Sequence, residues 1–163
     1  MEEPKHQIDF DDKGNIILKK TANVKRGATS RASGGQFELR VRHDLDDKGW
    51  IVDKWTNNLD MEKNKITPAK RVFKRFKANM GVMTIGTGFP DFIAFQLMEN
   101  QYKIIGVEVK MNGKLSKIEK EKCAWYLKNK TFSEVWIGKK IKEKNRVTVR
   151  YDNFKETYPK YLI

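Results

Sequence analysis

Two short apolar runs separated by a polar turn constrain this chain more than any other feature. The first reads Gly88-Phe89-Pro90-Asp91-Phe92-Ile93-Ala94-Phe95, and the second Ile104-Ile105-Gly106-Val107-Glu108-Val109-Lys110. Their length, their β-branched and aromatic content and the turn between them predict neighbouring strands over about residues 90–98 and 103–111. Side chains alternate faces along a strand, so Glu108 and Lys110 point the same way while Val107 and Val109 enter the core. Pairing of the two runs brings Asp91, Glu108 and Lys110 to one end of a sheet. Two carboxylates beside one ammonium on an apolar platform suit a hard divalent cation and a phosphate.

The elements around this pair follow from periodicity. Phe37, Val41 and Leu45 recur every four residues and predict a helix from Gly35 to about Asp47, stopped by Gly49. Glu38 lies about a hundred degrees from Phe37 on that helix, on the shoulder of the apolar face. It either pairs with Arg42 one turn on or turns towards the sheet. Trp50–Trp55 reads as the first core strand, and 56–66 as loop. Thr67-Pro68 resembles a helix start, so a helix is predicted over Thr67–Gly81, with Val72, Phe73 and Phe76 on one side. Its cations Lys70, Arg71, Lys74 and Arg75 face either solvent or phosphate. After Asn112-Gly113 come a helix over Leu115–Asn129, a strand Glu134–Gly138 and a last strand near Arg146–Tyr151. On the wheel of that second helix, Leu115, Ile118, Cys123 and Tyr126 share a face, with Glu119 in its middle and Lys122 beside it. Cys123 reads as a small core residue.

Residues 1–33 read as an arm. Ile8–Phe10 and Ile16–Leu18 predict a small hairpin, and Val24–Gly35 is small, basic and flexible. The basic stretch, with Lys25, Arg26 and Arg31, is either a solvated linker or a clamp for a nucleic-acid backbone. Residues 34–163 form the main domain.

Composition narrows the function classes. Lys and Arg number 34 against 21 Asp and Glu, a net charge of +13 in 163 residues. That excess favours a polyanionic partner, because cations at a phosphate backbone release condensed counterions. One cysteine excludes an internal disulfide, and two histidines leave too few ligands for a zinc cluster. Phosphate-binding glycine signatures are absent, as is any Ser/His/Asp grouping. There is no long apolar run for a membrane span, and Met1–Lys5 is unlike an apolar secretion leader. The expected location is cytoplasmic, at the nucleoid, or the host cytoplasm if the protein is viral.

Pro90-Asp91 opening one strand and Glu108-x-Lys110 closing the next, with an upstream helical Glu38 and a following amphipathic helix, resembles the signature of the PD-(D/E)XK nuclease superfamily. The resemblance covers about residues 25–140. Lys25-Arg26-Gly27, Phe37-Glu38, Leu45, Gly49 and Trp50–Val52 are similar in pattern to archaeal-type Holliday junction resolvases. The motif strands also resemble VRR-NUC-type nucleases. The resemblance implies an α/β fold with a restriction-endonuclease-like core: helix, three strands, helix, strand, around a central mixed sheet flanked by helices. It implies a metal-dependent DNA nuclease, an endonuclease more than an exonuclease, whose substrate is either a junction or repair intermediate of DNA repair or recombination, or the duplex of a restriction-like or general repair nuclease. Mg²⁺ is the implied cofactor, replaceable by Mn²⁺. Asp91, Glu108 and the Val109 carbonyl would ligate it, with Glu38 completing the site and Lys110 acting on the attacking water. DNA would be held mostly through its backbone, by Lys25, Arg26, Arg31, Lys70, Arg71, Lys74 and Arg75. Relatives often carry glutamine where Leu115-Ser116-x-x-Glu119 places Glu119, so Glu119 either bonds in the outer shell or contacts Lys122.

Two departures stand out. The span from Trp55 to Pro90 is longer than resolvases have, and Thr56-Asn57-Asn58 replaces their Ser-Gly loop. Two other classes fit the same residues: a non-catalytic nucleic-acid-binding protein of this fold, and an RNA-directed nuclease. A homodimer is a further expectation, with Phe132, Trp136, Tyr158 and Tyr161 as exposed interface aromatics.

Overall fold

The computed structural model describes residues 4–11, 14–69, 71–77, 80–85, 88–144 and 146–163, with 71–77 and 80–85 described through their backbone. The chain divides into two compact units, Met1–Gln36 with Lys70–Gly86, and Phe37–Ala69 with Thr87–Ile163.

In the first unit, β1 (His6–Phe10) and β2 (Ile16–Lys20) form the expected antiparallel hairpin, closing at Phe10 opposite Ile16. Asp11 builds the turn by accepting from the Asn15 N–H at 2.8 Å, and Gly14 supplies a positive φ of 86°. Helix α1 (Thr21–Asp47) starts directly after β2, with the Thr21 N–H donating to the Lys5 carbonyl at 3.0 Å. The stretch 24–35, expected to be flexible, is therefore helical. Its glycines cost about 1 kcal/mol each against alanine, but no proline intervenes between Pro4 and Pro68 to break the ladder.

The predicted Thr67–Gly81 helix is replaced by strands. β6 (Arg71–Lys77) and β7 (Met80–Ile85) pair antiparallel, from Arg71 opposite Ile85 to Lys77 opposite Met80. Val72, Phe73, Phe76, Val82 and Thr84 are strand formers, and a partner close in sequence lets them pair. Gly81, expected to end a helix, sits inside β7, and Lys70 lies outside the described residues.

The second unit is mixed α/β. Its central sheet has five strands in the order β11-β10-β9-β8-β3, namely Arg146–Asn153, Glu134–Glu143, Gln101–Val109, Phe92–Met98 and Ile51–Lys54. All neighbours are antiparallel except β9 and β10, which run parallel and are joined through helix α2 (Lys117–Lys128). A parallel pair needs such a crossover. Residues 56–66, expected as loop, contribute a small hairpin, β4 (Asn57–Asp60) with β5 (Lys65–Pro68). Pro68 ends β5 in a two-stranded ribbon, where a missing N–H is tolerated. Short helix α3 (Phe154–Thr157) and a 3₁₀ turn (Pro159–Tyr161) close the chain. Among the described residues no helix is long and apolar enough to cross a membrane.

Each face of the sheet carries a core. On one, Phe37, Val41 and Leu45 of α1 pack with Trp50, Val52, Phe92, Ala94, Ile105 and Val107. Gly49, at φ +80°, ends α1, and the Trp50 N–H returns to the Leu45 carbonyl at 3.0 Å. On the other face, Leu115, Cys123, Ala124 and Tyr126 pack with Phe132, Val135, Ile137 and Phe154. Ile118, expected on this face, is 61% exposed, and the buried face of α2 is made by Cys123, Ala124 and Tyr126. The aromatics expected at a dimer face are occupied internally: Phe132 is buried, Tyr158 and Tyr161 pack on Phe154 of the same core, and Trp136 rests against the opposite core.

Candidate active site

Asp91 is placed by backbone bonds before its side chain acts. Its carbonyl accepts from the Trp55 N–H at 3.1 Å, and the Phe89 N–H donates to Asn57 at 2.9 Å. A Cβ on Gly88 would run into the carbonyls of Trp55 and Asn57, so only glycine allows this approach. The Phe89–Pro90 peptide is cis, and the Tyr126 hydroxyl donates to the Phe89 carbonyl at 2.8 Å from within the core. Oδ2 of Asp91 then accepts from the Val109 N–H at 2.8 Å, tying the start of β8 to the end of β9.

Glu108 and Lys110 leave β9 on one side, as alternation predicts, and Val107 is buried on the other. Glu108 is 4% exposed. Its Oε1 lies 3.0 Å from Lys110 Nζ, while its Oε2 is buried with no hydrogen-bond partner among the described residues. Lys110 Nζ also meets Glu119 Oε1 at 2.6 Å. The other Glu119 oxygen accepts from the Ser116 N–H at 2.7 Å, and the Ser116 hydroxyl accepts from the Glu119 N–H at 3.3 Å. This is a capping box, which gives Glu119 a helix-terminal role as well as its bond to Lys110. Of the two contacts expected for Glu119, that with Lys122 is not made; Lys122 donates to Asn58 at 2.7 Å.

Glu38 does not pair with Arg42, which donates to the Val52 carbonyl at 3.0 Å. Glu38 Oε2 is instead 2.7 Å from Lys54 Nζ. The sequence reading missed Lys54; its signal was its position closing the first strand at the same sheet end as Asp91. The S-x-x-E cap was also present in the sequence without being read as one.

Charge is unevenly settled here. Burial raises the pKa of Asp91, as does the nearby Glu38, against the Val109 hydrogen bond and the fields of Lys54 and Lys110. Burial and the Asp91 charge push Glu108 up to about 8 despite Lys110. Burial alone would lower Lys110 and raise Glu119, but their mutual ion pair wins: Lys110 goes up and Glu119 down. So Lys110 and Glu119 satisfy each other, while Asp91 and Glu108 remain two carboxylates short of positive charge. Among the described residues, no three His, Cys, Asp or Glu side chains already converge as a metal cage. The donor set still fits a hard cation: the unpartnered Glu108 oxygen and the raised Asp91 present carboxylate oxygens that a divalent ion would compensate. Glu38, on α1, is near enough for its charge to act on Asp91, and Val109 carries the amide that Asp91 binds.

The predicted nucleic-acid contacts are divided. Lys25, Arg26 and Arg31 lie on the N-terminal half of α1, and Arg31 lines a recess of about 470 Å³ with Lys19, Lys20 and Asp9. Arg71, Lys74 and Arg75 lie in β6, where the backbone alone is described, and Lys70 lies outside the described residues.

Comparison with protein-family models, curated proteins and solved structures finds no match to this chain.

Proposed function

We propose that this chain is a divalent-cation-dependent DNA nuclease of the PD-(D/E)XK type, hydrolysing phosphodiester bonds as an endonuclease at junctions or repair intermediates. The observation that carries the reading is the pair Asp91 and Glu108, the latter with a buried oxygen lacking a partner among the described residues, beside a lysine fixed by a third carboxylate. The order helix, three core strands, helix, strand supports the restriction-endonuclease-like core, and the net charge of +13 supports a polyanionic substrate.

Asp91, Glu108, Glu38 and the Val109 carbonyl would hold Mg²⁺ or Mn²⁺, which supplies a more acidic bound water and charge neutralisation at the phosphoryl oxygens. Lys110 stays protonated through its bond to Glu119, so it acts as a fixed positive charge that orients water and offsets the developing negative charge. Asp91 keeps its geometry through the Val109 N–H whether or not its other oxygen is engaged. Basic residues of α1 contribute backbone affinity without reading sequence.

The test is cleavage of labelled duplex, single-stranded and four-way-junction DNA with Mg²⁺, Mn²⁺ or EDTA, beside Asp91→Ala. Cutting that needs both metal and Asp91 is the expected result; cutting retained by Asp91→Ala rejects this assignment. A second reading, nucleic-acid binding without catalysis, is favoured by the lysines already standing among the carboxylates. Salt-sensitive binding indifferent to Mg²⁺, with no cutting of DNA or RNA, would select it.

A further inference from the structure

Lys54 ends β3 opposite Phe92, one residue along from Asp91, so its Cα is fixed by strand pairing at the edge of the site. Its ammonium is 2.7 Å from Glu38 Oε2 and 4.8 Å from the centre of the Phe92 ring. Among the described residues Lys110 has two carboxylate partners and Lys54 one, and the side chains of Lys54 and Glu38 are 43% and 37% exposed. The pair is thus half-exposed, and the charges of both residues are felt at Asp91.

We propose that Lys54 holds Glu38 in the cation-free protein and turns to the phosphodiester once Glu38 is engaged by a divalent cation. The inference rests on the hydrolase reading above. An ammonium and a metal compete for the same carboxylate, and the ammonium is the weaker partner at a half-exposed position. Once released, Lys54 stays within reach of the site on its flexible four-carbon stem, as a compact point charge suited to a phosphate oxygen. Its positive charge already lowers the Asp91 carboxyl against burial, so its field reaches the centre of the site. Removing it has opposite effects on the two ligands: metal binding gains because a competitor is lost, and phosphate handling loses.

The test pairs calorimetric Mn²⁺ binding without DNA with single-turnover cleavage of four-way-junction and duplex DNA at saturating Mn²⁺. Lys54→Met keeps the packing on Phe92 and removes the charge. It should bind Mn²⁺ about two- to fivefold tighter and cleave about tenfold more slowly. Lys54→Arg should recover wild-type values in part. A melting curve for each variant verifies folding, and Lys54→Gln replaces Lys54→Met should the latter not fold. Unchanged or weaker Mn²⁺ binding by Lys54→Met, or cleavage at the wild-type rate, overturns the inference. A wild type that binds no Mn²⁺ overturns the hydrolase reading and this inference together. Mn²⁺ uptake lost in Asp91→Ala but unaltered in Lys54→Met overturns the inference alone.

Discussion

Lys110 and Glu119 meet at 2.6 Å, and each comes from a different element: the end of β9 and the first turn of α2. The same carboxylate closes the capping box with Ser116, so one side chain starts a helix and fixes the ammonium of the site.

Substitution at Glu119 should separate those roles. Glu119→Gln keeps an acceptor for the Ser116 N–H and is expected to cost less than about 1 kcal/mol in stability. Glu119→Ala also removes the cap interaction and should cost about 1–2 kcal/mol. Cleavage should fall by about threefold in the first and about tenfold or more in the second, as Lys110 loses its tether. Denaturant titrations and single-turnover rates read the two effects independently.

The raised carboxyl of Glu108 sets a pH dependence. Its pKa in the fold, about 8, lies above the 4.5 of the free side chain, so between these values the native state holds a proton the unfolded chain has released. Its stabilising contribution is therefore present below pH 4.5 and lost as pH rises towards 8. Raised Asp91 adds in the same direction. In EDTA the melting temperature should fall across this window, and Mg²⁺ should restore most of the loss at the alkaline end. Glu108→Gln should flatten the slope and remove the Mg²⁺ response.

Gly106, in β9 two residues before Glu108, is tightly enclosed beside Pro90. A Cβ there would lie 2.9 Å from both a Phe132 ring carbon and Pro90 Cγ. Gly106→Ala should destabilise by about 1–3 kcal/mol through overpacking. It should also displace Pro90 and with it Asp91, so the loss of cleavage should exceed the fraction unfolded at the assay temperature.

For the basic residues of α1, the readout is salt. Replacing Lys25, Arg26 and Arg31 together by alanine should reduce the log–log salt slope of DNA binding by up to about 3. The loss should be similar across unrelated sequences, as measured by fluorescence anisotropy.

The motif strands were legible because both their period and their end residues carried the signal: Asp91 and Val109 are brought together by the pairing that alternation predicts. The helix preceding Glu38 was half legible. Phe37, Val41 and Leu45 mark its buried face, but upstream glycines and serines look like breakers when no proline is present to break anything. β6 was misread because Val72, Phe73 and Phe76 fit one side of a helix as well as a strand, and the decision lay with a partner segment, 80–85. Within the site, Asp91, Glu108 and Lys110 are local in the motif. Lys54 and Glu38 are 16 residues apart on different elements, a contact that no spacing rule supplies.

The capping box has a thermal consequence. Helix ends fray before helices melt, and the first turn of α2 is where Lys110 is anchored. A fixed charge tethered to a fraying turn loses its aim while the sheet beneath it is still intact. Working temperature would then be set by one helical turn, below the temperature at which the fold itself gives way.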